Sequence, residues 1–342
     1  MRLTAAYPYH AANYLVRAAI TAPSLHNSQP WLFIGDRTCL DLYANPARQL
    51  PAADPDGREL VIGCGAALFN VRLAMRHLGF RPDVRVCPTR WNPAHLARIG
   101  WGPFGRAGAN EELMHHALRA RRTHRGPFQS PPLPQRLVDD LRRQARAEGA
   151  DLYVVTDGNV RGHLAELVRE AETIQRTDPA WRAELYHWTQ EFTGTRLDGV
   201  PLATCTYHPD CVPFAGRDFL GLSATMPDPP EVWSEHTGLV AVLTTCYDTR
   251  VEWLQAGQAL QRLLLHAAAH RVSAAFHTQP LELPRLRAQV RAGLLFGQFP
   301  QMILRLGHTR RGAPTPRRPA TDVLRMRSES GGGATRLGTP RR

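Results

Sequence analysis

The sequence contains no lysine, so all 42 basic side chains among its 342 residues are arginine. This bias is typical of genome composition and weakens what can be inferred from any single arginine. Long apolar runs are absent too: no stretch of about 18 apolar residues exists, which excludes a transmembrane helix. The six cysteines, at positions 39, 64, 87, 205, 211 and 246, are too few and too scattered for a disulfide framework.

The N-terminal residues lack the basic, apolar and small-residue regions of a secretory signal, so we expect a cytoplasmic protein without a membrane partner. The net charge of +12 suggests nucleic-acid binding. However, residues 309–342 alone hold nine arginines against Asp322 and Glu329, a net charge of +7. No RRM, KH or helix-turn-helix signature accompanies that charge, and we therefore expect no nucleic-acid partner.

The apolar pattern predicts an α+β fold. Residues 31–34 and 39–43 flank Gly35-Asp36 as the strands of a β-hairpin do. Residues 57–78 and 251–270 are apolar or small on nearly every side, which indicates two long buried helices.

These two helices share a short repeat. Gly65-Ala66-Ala67-Leu68 recurs as Gly257-Gln258-Ala259-Leu260, with a leucine following at the same distance in each. We therefore predict two similar units fused as an intrachain pseudo-dimer and packed through these helices. The predicted units are residues 1–115 and 116–325. An irregular insertion over 192–236 interrupts the second unit, and a disordered basic tail follows over 326–342.

Residues 22–31, Ala-Pro-Ser-Leu-His-Asn-Ser-Gln-Pro-Trp, join a helix to the first strand. Pro23, Ser24, Asn27 and Gln29 offer backbone and side-chain groups that can meet the polar edge of a planar ring. A helix stop with an Asx-type turn, followed by a tryptophan in the core, accounts for the same residues equally well.

Guanidinium and hydroxyl groups, the usual protein donors to phosphate, are concentrated in two segments. These are Arg121, Arg122, Thr123 and Arg125 in the first, and Arg317 and Arg318 in the second. On charge alone, a solvated basic stretch is the simpler interpretation of either segment.

Taken in order, these motifs resemble the nitroreductase superfamily. Ala-Pro-Ser-x-x-Asn-x-Gln-Pro-Trp is similar to the motif that contacts the FMN ring from the partner subunit. Residues 121–125, with Phe128 shortly after, look like the Arg-Arg-Ser-x-Arg-x-Phe motif that holds the FMN phosphate and ribityl chain. Within the superfamily, residues 10–325 most resemble the Acg family of mycobacterial nitroreductase-like proteins, which are double-length chains with a lid over one flavin.

The resemblance implies a nitroreductase-like fold with one FMN in a composite site. The first unit lacks the arginine motif, and the second lacks another Asn-x-Gln-Pro-Trp. The residues that it implies are as follows. Pro23, Ser24, Asn27 and Gln29 would approach the isoalloxazine ring, and Arg121, Arg122, Thr123 and Arg317 or Arg318 would bind the phosphate. Arg125 would lie near the flavin pyrimidine, where positive charge stabilises the anionic reduced flavin.

The activity implied is electron transfer from NAD(P)H through FMN to a small acceptor, a nitroaromatic or a quinone, with no catalytic side chain required. The alternative is a protein that stores FMN beneath a lid formed by residues 192–236. We expect a monomeric pseudo-dimer or further self-association. Cys205, His208 and Cys211 are metal-ligand types at close spacing, but too few ligands lie nearby, and we predict no metal site.

Overall fold

The computed structural model describes residues 9–129, 132–190, 196–205, 213–219, 221, 237–295, 297–309 and 314–327. Most of the predicted lid over 192–236 lies outside the described residues, as do His208, Cys211 and residues 328–342 of the predicted tail. Within the described part of the chain, no helix is long and apolar enough to cross a bilayer.

The chain alternates helices with short strands. The helices are α1 (Tyr9–Ala19), α2 (Arg58–His77), α3 (Ala109–Ala117), α4 (Gln135–Arg146), α5 (Gly158–Thr177), α6 (Pro179–Trp188), α7 (Arg250–Ala269), α8 (Pro284–Leu294) and α9 (Ala320–Val323). The strands are β1 (Trp31–Gly35), β2 (Cys39–Ala44), β3 (Phe80–Val86), β4 (His95–Phe104), β5 (Asp151–Val154), β6 (Thr189–Gln190), β7 (Val200–Pro201), β8 (Leu239–Thr245), β9 (Val272–Phe276), β10 (Phe299–His308) and β11 (Leu324–Met326).

Two sheets of this chain have the same topology. The first has the order β11-β1-β2-β4-β3 and the second β5-β8-β10-β9. Apart from β11, each places its first, second, fourth and third strands side by side, all antiparallel. Each also has one helix before its first strand and a 20-residue helix, α2 or α7, between its second and third. The prediction of two similar α+β units in one chain is confirmed.

The two long helices cross at the repeated glycines. A methyl group on Gly65 would collide with the carbonyl oxygen of Leu254, and one on Gly257 would collide with that of Ile62. Each glycine thus faces the residue three positions before the other, the reciprocal pattern of a two-fold axis. The absence of a Cβ at both positions lets the backbones touch, so the repeat marks the pseudo-dimer interface.

The units differ in how their first two strands are joined. In the first unit Asp36 closes a tight turn by accepting hydrogen bonds from the backbone amides of Thr38 and Cys39. In the second unit α5, α6 and the insertion separate β5 from β8. The outer face of the second sheet packs against α5, α8 and the fully buried Phe214 from the insertion.

The C-terminal end of the chain returns to the first sheet. Strand β11 pairs in parallel with β1, with Phe33 opposite Leu324. Val323, immediately before it, is completely buried in the first unit's core. The division of the chain at residue 115 stays a prediction. The structure shows in addition that the last residues of the second predicted unit pack on the first unit.

Candidate functional site

A cleft lies between the two units and receives residues from both. Its empty space is about 1180 Å³, open solvent at its mouth included. The lining side chains come from the 23–27 turn, α2, the segment after α3, the insertion, the second sheet and the C-terminal segment. They include Pro23, Ser24, His26, Asn27, Glu59, Ile62, Thr123, Arg125, Val200, Arg217, Phe219, Leu260, Phe276, Met302, Thr315 and Arg317.

The turn that forms one wall of the cleft is conformationally strained. His26, Asn27 and Gln29 have φ values of 46°, 56° and 50°, in the left-handed region that favours glycine. A non-glycine residue there costs on the order of 1–3 kcal/mol and persists only where surrounding contacts determine it. Such strain is concentrated at functional sites in proteins, and here it lies beside the cleft.

Hydrogen bonds from Asn27 hold this turn in place. Its Nδ2 donates to the carbonyl oxygens of Gly199 and Pro316, at 3.0 Å each, and its Oδ1 accepts from Arg317 at 2.9 Å. Asn27 therefore joins the insertion and the C-terminal segment to the wall of the cleft.

Gln29 has a similar role but lies behind the wall. It is fully buried and does not line the cleft. Its Nε2 donates to the Leu197 carbonyl at 2.8 Å, and its Oε1 accepts from the backbone amide of Arg318 at 2.9 Å. Its backbone amide donates to Ser24 Oγ at 2.9 Å. The Gln29 side chain thus bonds to protein backbone and supports the ligand-facing residues from behind.

Arg121 and Arg317 form a cationic cluster with unused donors. Arg121 is 5% exposed, and its Nε and one terminal nitrogen have no hydrogen-bond partner among the described residues; the same holds for Nε of Arg317. Burial lowers the pKa of Arg121 to about 9, helped by repulsion from Arg317 and Arg122. Burial, with Arg122 and Arg125, lowers the pKa of Arg317 to about 10.

The charged groups that shift both pKa values are all arginines. Buried cations normally have a counter-charge, because an unpaired buried charge is costly. An anion between these guanidinium groups would satisfy the orphaned N–H groups and relieve the repulsion. The cluster therefore fits a bound phosphate or carboxylate.

Of the pair Arg121 and Arg317, only Arg317 lines the cleft. Among the remaining arginines of the two motifs, Arg318 also keeps one terminal nitrogen without a partner among the described residues. Arg122 does not line the cleft, and it donates to the carbonyl oxygens of Arg119 and Arg121 at 2.6 and 2.8 Å. Arg318 also lies outside the cleft lining, and its side chain donates to the Asp322 carbonyl at 3.2 Å. Arg122 contributes positive charge to the cluster rather than a wall of the cleft, whereas the charges that act on Arg318 are those of Arg48, Asp322 and Asp198.

Thr123 and Arg125 line the cleft beside the second sheet. Thr123 bridges in parallel to Ala274 of β9, which fixes its position. Arg125 donates to Oγ1 of Thr204 at 3.2 Å, and its guanidinium lies 5.8 Å from the centre of the Phe219 ring. Burial lowers the pKa of Arg125. An arginine held against an aromatic ring of the insertion can present its charge to a ligand in the cleft.

Sequence motifs did not identify several further lining residues, among them the polar side chains of His26, Glu59 and Arg217. Burial, then Arg217 and Arg125, holds the pKa of His26 well below its usual value, so its imidazole is neutral. Burial and nearby Glu282 raise the pKa of Glu59. Arg217 pairs with Glu282 and keeps one terminal nitrogen without a partner among the described residues. His26 occupies a variable position of the turn motif, and the other two lie in no motif at all.

Comparison with known proteins gives relatives that match nearly the whole chain. A Mycobacterium tuberculosis protein, provisionally named NAD(P)H nitroreductase Acg, is 33% identical over 322 residues, 92% of this chain and 95% of that one. A second M. tuberculosis protein provisionally named an NAD(P)H nitroreductase is 32% identical over 316 residues, 91% and 90% of the two chains. No family model matches the chain.

Solved nitroreductase structures superpose only in part. An FMN- and NADPH-dependent enzyme of Sphigopyxis sp. is 18% identical and covers 63% of this chain and 99% of its own, with a TM-score of 0.41. An FMN-bound enzyme of Desulfitobacterium hafniense is 13% identical, with coverages of 61% and 95% and a TM-score of 0.35. Scores this low add nothing to what the two full-length relatives show.

Proposed function

Because this chain belongs to the family of the mycobacterial nitroreductase Acg, we propose that it is an FMN-dependent NAD(P)H oxidoreductase that reduces a small nitroaromatic or quinone. The observation that carries the proposal is the buried pair Arg121 and Arg317, which keeps unused N–H donors, with Arg317 in the lining of the cleft and Arg121 behind it. The likeness of residues 121–125 and 317–319 to motifs of the family supports a phosphate site at this same pair of segments.

The residues present fit FMN at both ends. Arg317 and Arg121 would bind the phosphate, and the Thr123 hydroxyl would donate a further hydrogen bond. Arg122 and Arg318 would add charge without direct contact. Ile62, Leu260, Phe276 and Met302 offer apolar surface to a ring, and Pro23, Ser24 and Asn27 of the turn line the same cleft. Gln29 would maintain the turn from behind.

When bound, FMN would supply the hydride and electron chemistry, and the chain's own residues would bind, orient and exclude water. Arg125 would place a buried positive charge at the cleft, which favours an anionic form of the cofactor. His26 is neutral and buried against Phe219, with ring centres 5.9 Å apart, so it shapes the wall without adding charge. No side chain is needed as an acid or base.

Flavin binding is the first test. The purified full chain should release one FMN per chain on denaturation, and the flavin-free protein should bind FMN far more tightly than riboflavin, which lacks the phosphate. The Arg317→Ala variant should lose FMN affinity about 10- to 100-fold, because a charge-assisted hydrogen bond contributes roughly 1.5–3 kcal/mol. Arg325→Ala, which removes an exposed arginine from the same C-terminal segment, is the matched control.

Turnover is measured separately. Steady-state oxidation of NADH or NADPH with a nitroaromatic or quinone acceptor should be flavin-dependent in the intact protein. Equal affinity for FMN and riboflavin would contradict the phosphate site. Tight FMN binding without NAD(P)H oxidation would contradict the oxidoreductase and favour the alternative function, an FMN-storage protein.

A further inference from the structure

A second cluster of ligand-type side chains lies away from the cleft. His77 is the last residue of α2, and Glu112 and His115 are three positions apart on α3. None of the three lines the cleft. One ligand atom from each lies within 4.8 Å of the others, and no other such trio of His, Cys, Asp or Glu occurs in the part of the chain that the structure describes.

Contacts within the cluster already orient the three side chains. His77 Nδ1 lies 2.8 Å from Oε2 of Glu112. The rings of His77 and His115 stack with their centres 3.8 Å apart and their planes within 9°. The cluster thus connects the end of α2 to α3, beside the ion pair of Arg76 with Glu111.

His115 has one nitrogen to spare. Its Nε2 lies 3.3 Å from the Tyr14 hydroxyl, whereas its buried Nδ1 has no hydrogen-bond partner among the described residues. Histidine ligands of metals commonly bind the ion through one nitrogen while a neighbouring group orients the other.

We propose that His77, Glu112 and His115 bind one divalent transition-metal ion of the zinc type, with Tyr14 positioning His115 from behind. Two imidazoles and one carboxylate suit Zn²⁺ or Co²⁺, whereas Mg²⁺ and Ca²⁺ prefer oxygen ligands throughout. The fourth position would be taken by water or by the exposed His116, whose ring centre is 6.1 Å from that of His115.

Binding of one ion requires the His77 ring to leave its stack on His115, because an imidazole binds a metal in the plane of its ring and the two planes are now parallel. Ligand atoms about 2.0–2.2 Å from a tetrahedral metal lie roughly 3.3–3.5 Å apart. The present atoms lie within 4.8 Å of each other, so the rotation of the ring is accompanied by a closure of up to about 1.5 Å. The side chains of His77 and Glu112 are 35% and 36% exposed, and so are free to make this movement.

The test is a titration of the untagged, chelator-treated full chain with Co²⁺. We expect one ion per chain and the visible absorption of tetrahedral cobalt, without the near-ultraviolet charge-transfer band that a cysteine ligand produces. The missing band separates this site from one at Cys205. The His77→Ala/His115→Ala variant should lose the spectrum and at least tenfold in affinity, and Tyr14→Phe should lose about tenfold.

Two further variants make the result decisive. Glu112→Gln keeps the size of the side chain and removes the anionic ligand, so it should weaken binding without affecting the fold. His163→Ala is the matched control, because His163 and Glu166 form a similar i,i+3 pair, at 3.8 Å, on the exposed surface of α5. Wild-type affinity for Co²⁺ in the double variant, or no binding by the wild-type chain, would overturn the proposal.

Discussion

At the scale of single residues, burial of the arginine cluster should lower the free energy of unfolding of the flavin-free protein by a measurable amount. Arg121 has a folded-state pKa of about 9, below its usual value. Holding the proton therefore destabilises the folded state at every pH below about 9. The penalty is relieved only as the pH rises from there towards the unfolded-state value.

Replacing Arg121 with methionine, which keeps most of the side-chain length, should therefore stabilise the flavin-free protein at pH 7 and weaken FMN binding. The pKa shift corresponds to a stability gain on the order of a few kcal/mol. Loss of the hydrogen bond to the Thr21 carbonyl offsets part of it. Urea unfolding without flavin and an FMN titration measure the two effects.

Arg119→Met is the control for this trade-off, because Arg119 is exposed and only two positions away. Its unfolding free energy should change by less than about 0.5 kcal/mol, as expected for an exposed side chain. A less stable apo protein on Arg121→Met, with FMN affinity intact, would mean that Arg121 has a structural role only.

The sequence identified the motifs of the site but not the residues to which the motif side chains are hydrogen-bonded. Pro23, Ser24, Asn27, Thr123, Arg125 and Arg317 line the cleft, whereas Gln29, Arg121, Arg122 and Arg318 lie behind it. Gln29 bonds to Leu197 and Arg318, 168 and 289 positions away. Short-range spacing carries no information about contacts at such separations. Whether each residue touches FMN stays a prediction.

At the scale of secondary-structure elements, the helix crossing provides a sharp test. Gly65→Ala should destabilise the protein by at least 1–3 kcal/mol, since the new methyl group meets the Leu254 carbonyl oxygen of the partner helix and the backbones must separate. Gly257→Ala should behave alike by the pseudo-two-fold symmetry. Urea unfolding gives both values.

Gly162→Ala is a matched control within α5, because nothing lies within 4 Å of the added methyl group. It should stabilise the chain by about 0.5–1 kcal/mol through helix propensity alone. If Gly65→Ala were equally stabilising, the close approach of α2 and α7 would be contradicted.

The two long helices and the hairpin could be predicted from the sequence because their signals are local: a long run of apolar and small residues in each helix, and Gly35-Asp36 between two apolar runs in the hairpin. The predicted helices over 57–78 and 251–270 correspond to α2 and α7 within two residues at each end, and the hairpin formed as expected. Strand β11 was not predicted. This strand has only three residues, of which Arg325 and Met326 are exposed, so it is too short to show an alternation of apolar and polar residues. It forms a strand because it pairs with β1.

At the scale of the whole molecule, the crossing of the chain end connects fold and site. Helix α9 and strand β11 attach to the first unit, and they follow directly after Arg317 and Arg318. The segment before them is thereby held against the 24–29 turn, where Asn27 accepts from Arg317 and Gln29 from Arg318. A cofactor bound between the units would consequently depend on a strand that contributes no ligand-contacting residue.

Two truncations test this dependence. A chain ending at Arg327 keeps β11 and should match the full protein in unfolding free energy and flavin content. A chain ending at Pro319 loses Val323 and Leu324, which are 0% and 8% exposed. Burial of one such side chain contributes about 1.5–3 kcal/mol, so this chain should be less stable by at least 3 kcal/mol. It should also aggregate more readily, because the edge of β1 is left unpaired.

The shorter chain retains Arg317 and Arg318, yet its FMN affinity should fall because the two residues lose their anchor. Flavin content is therefore compared without denaturant, at a temperature where circular dichroism shows that both truncated chains are folded. If the chain ending at Pro319 bound FMN as tightly as the one ending at Arg327, the bonds from Asn27 and Gln29 would suffice to hold the arginines. The returning strand would then serve only the stability of the first unit.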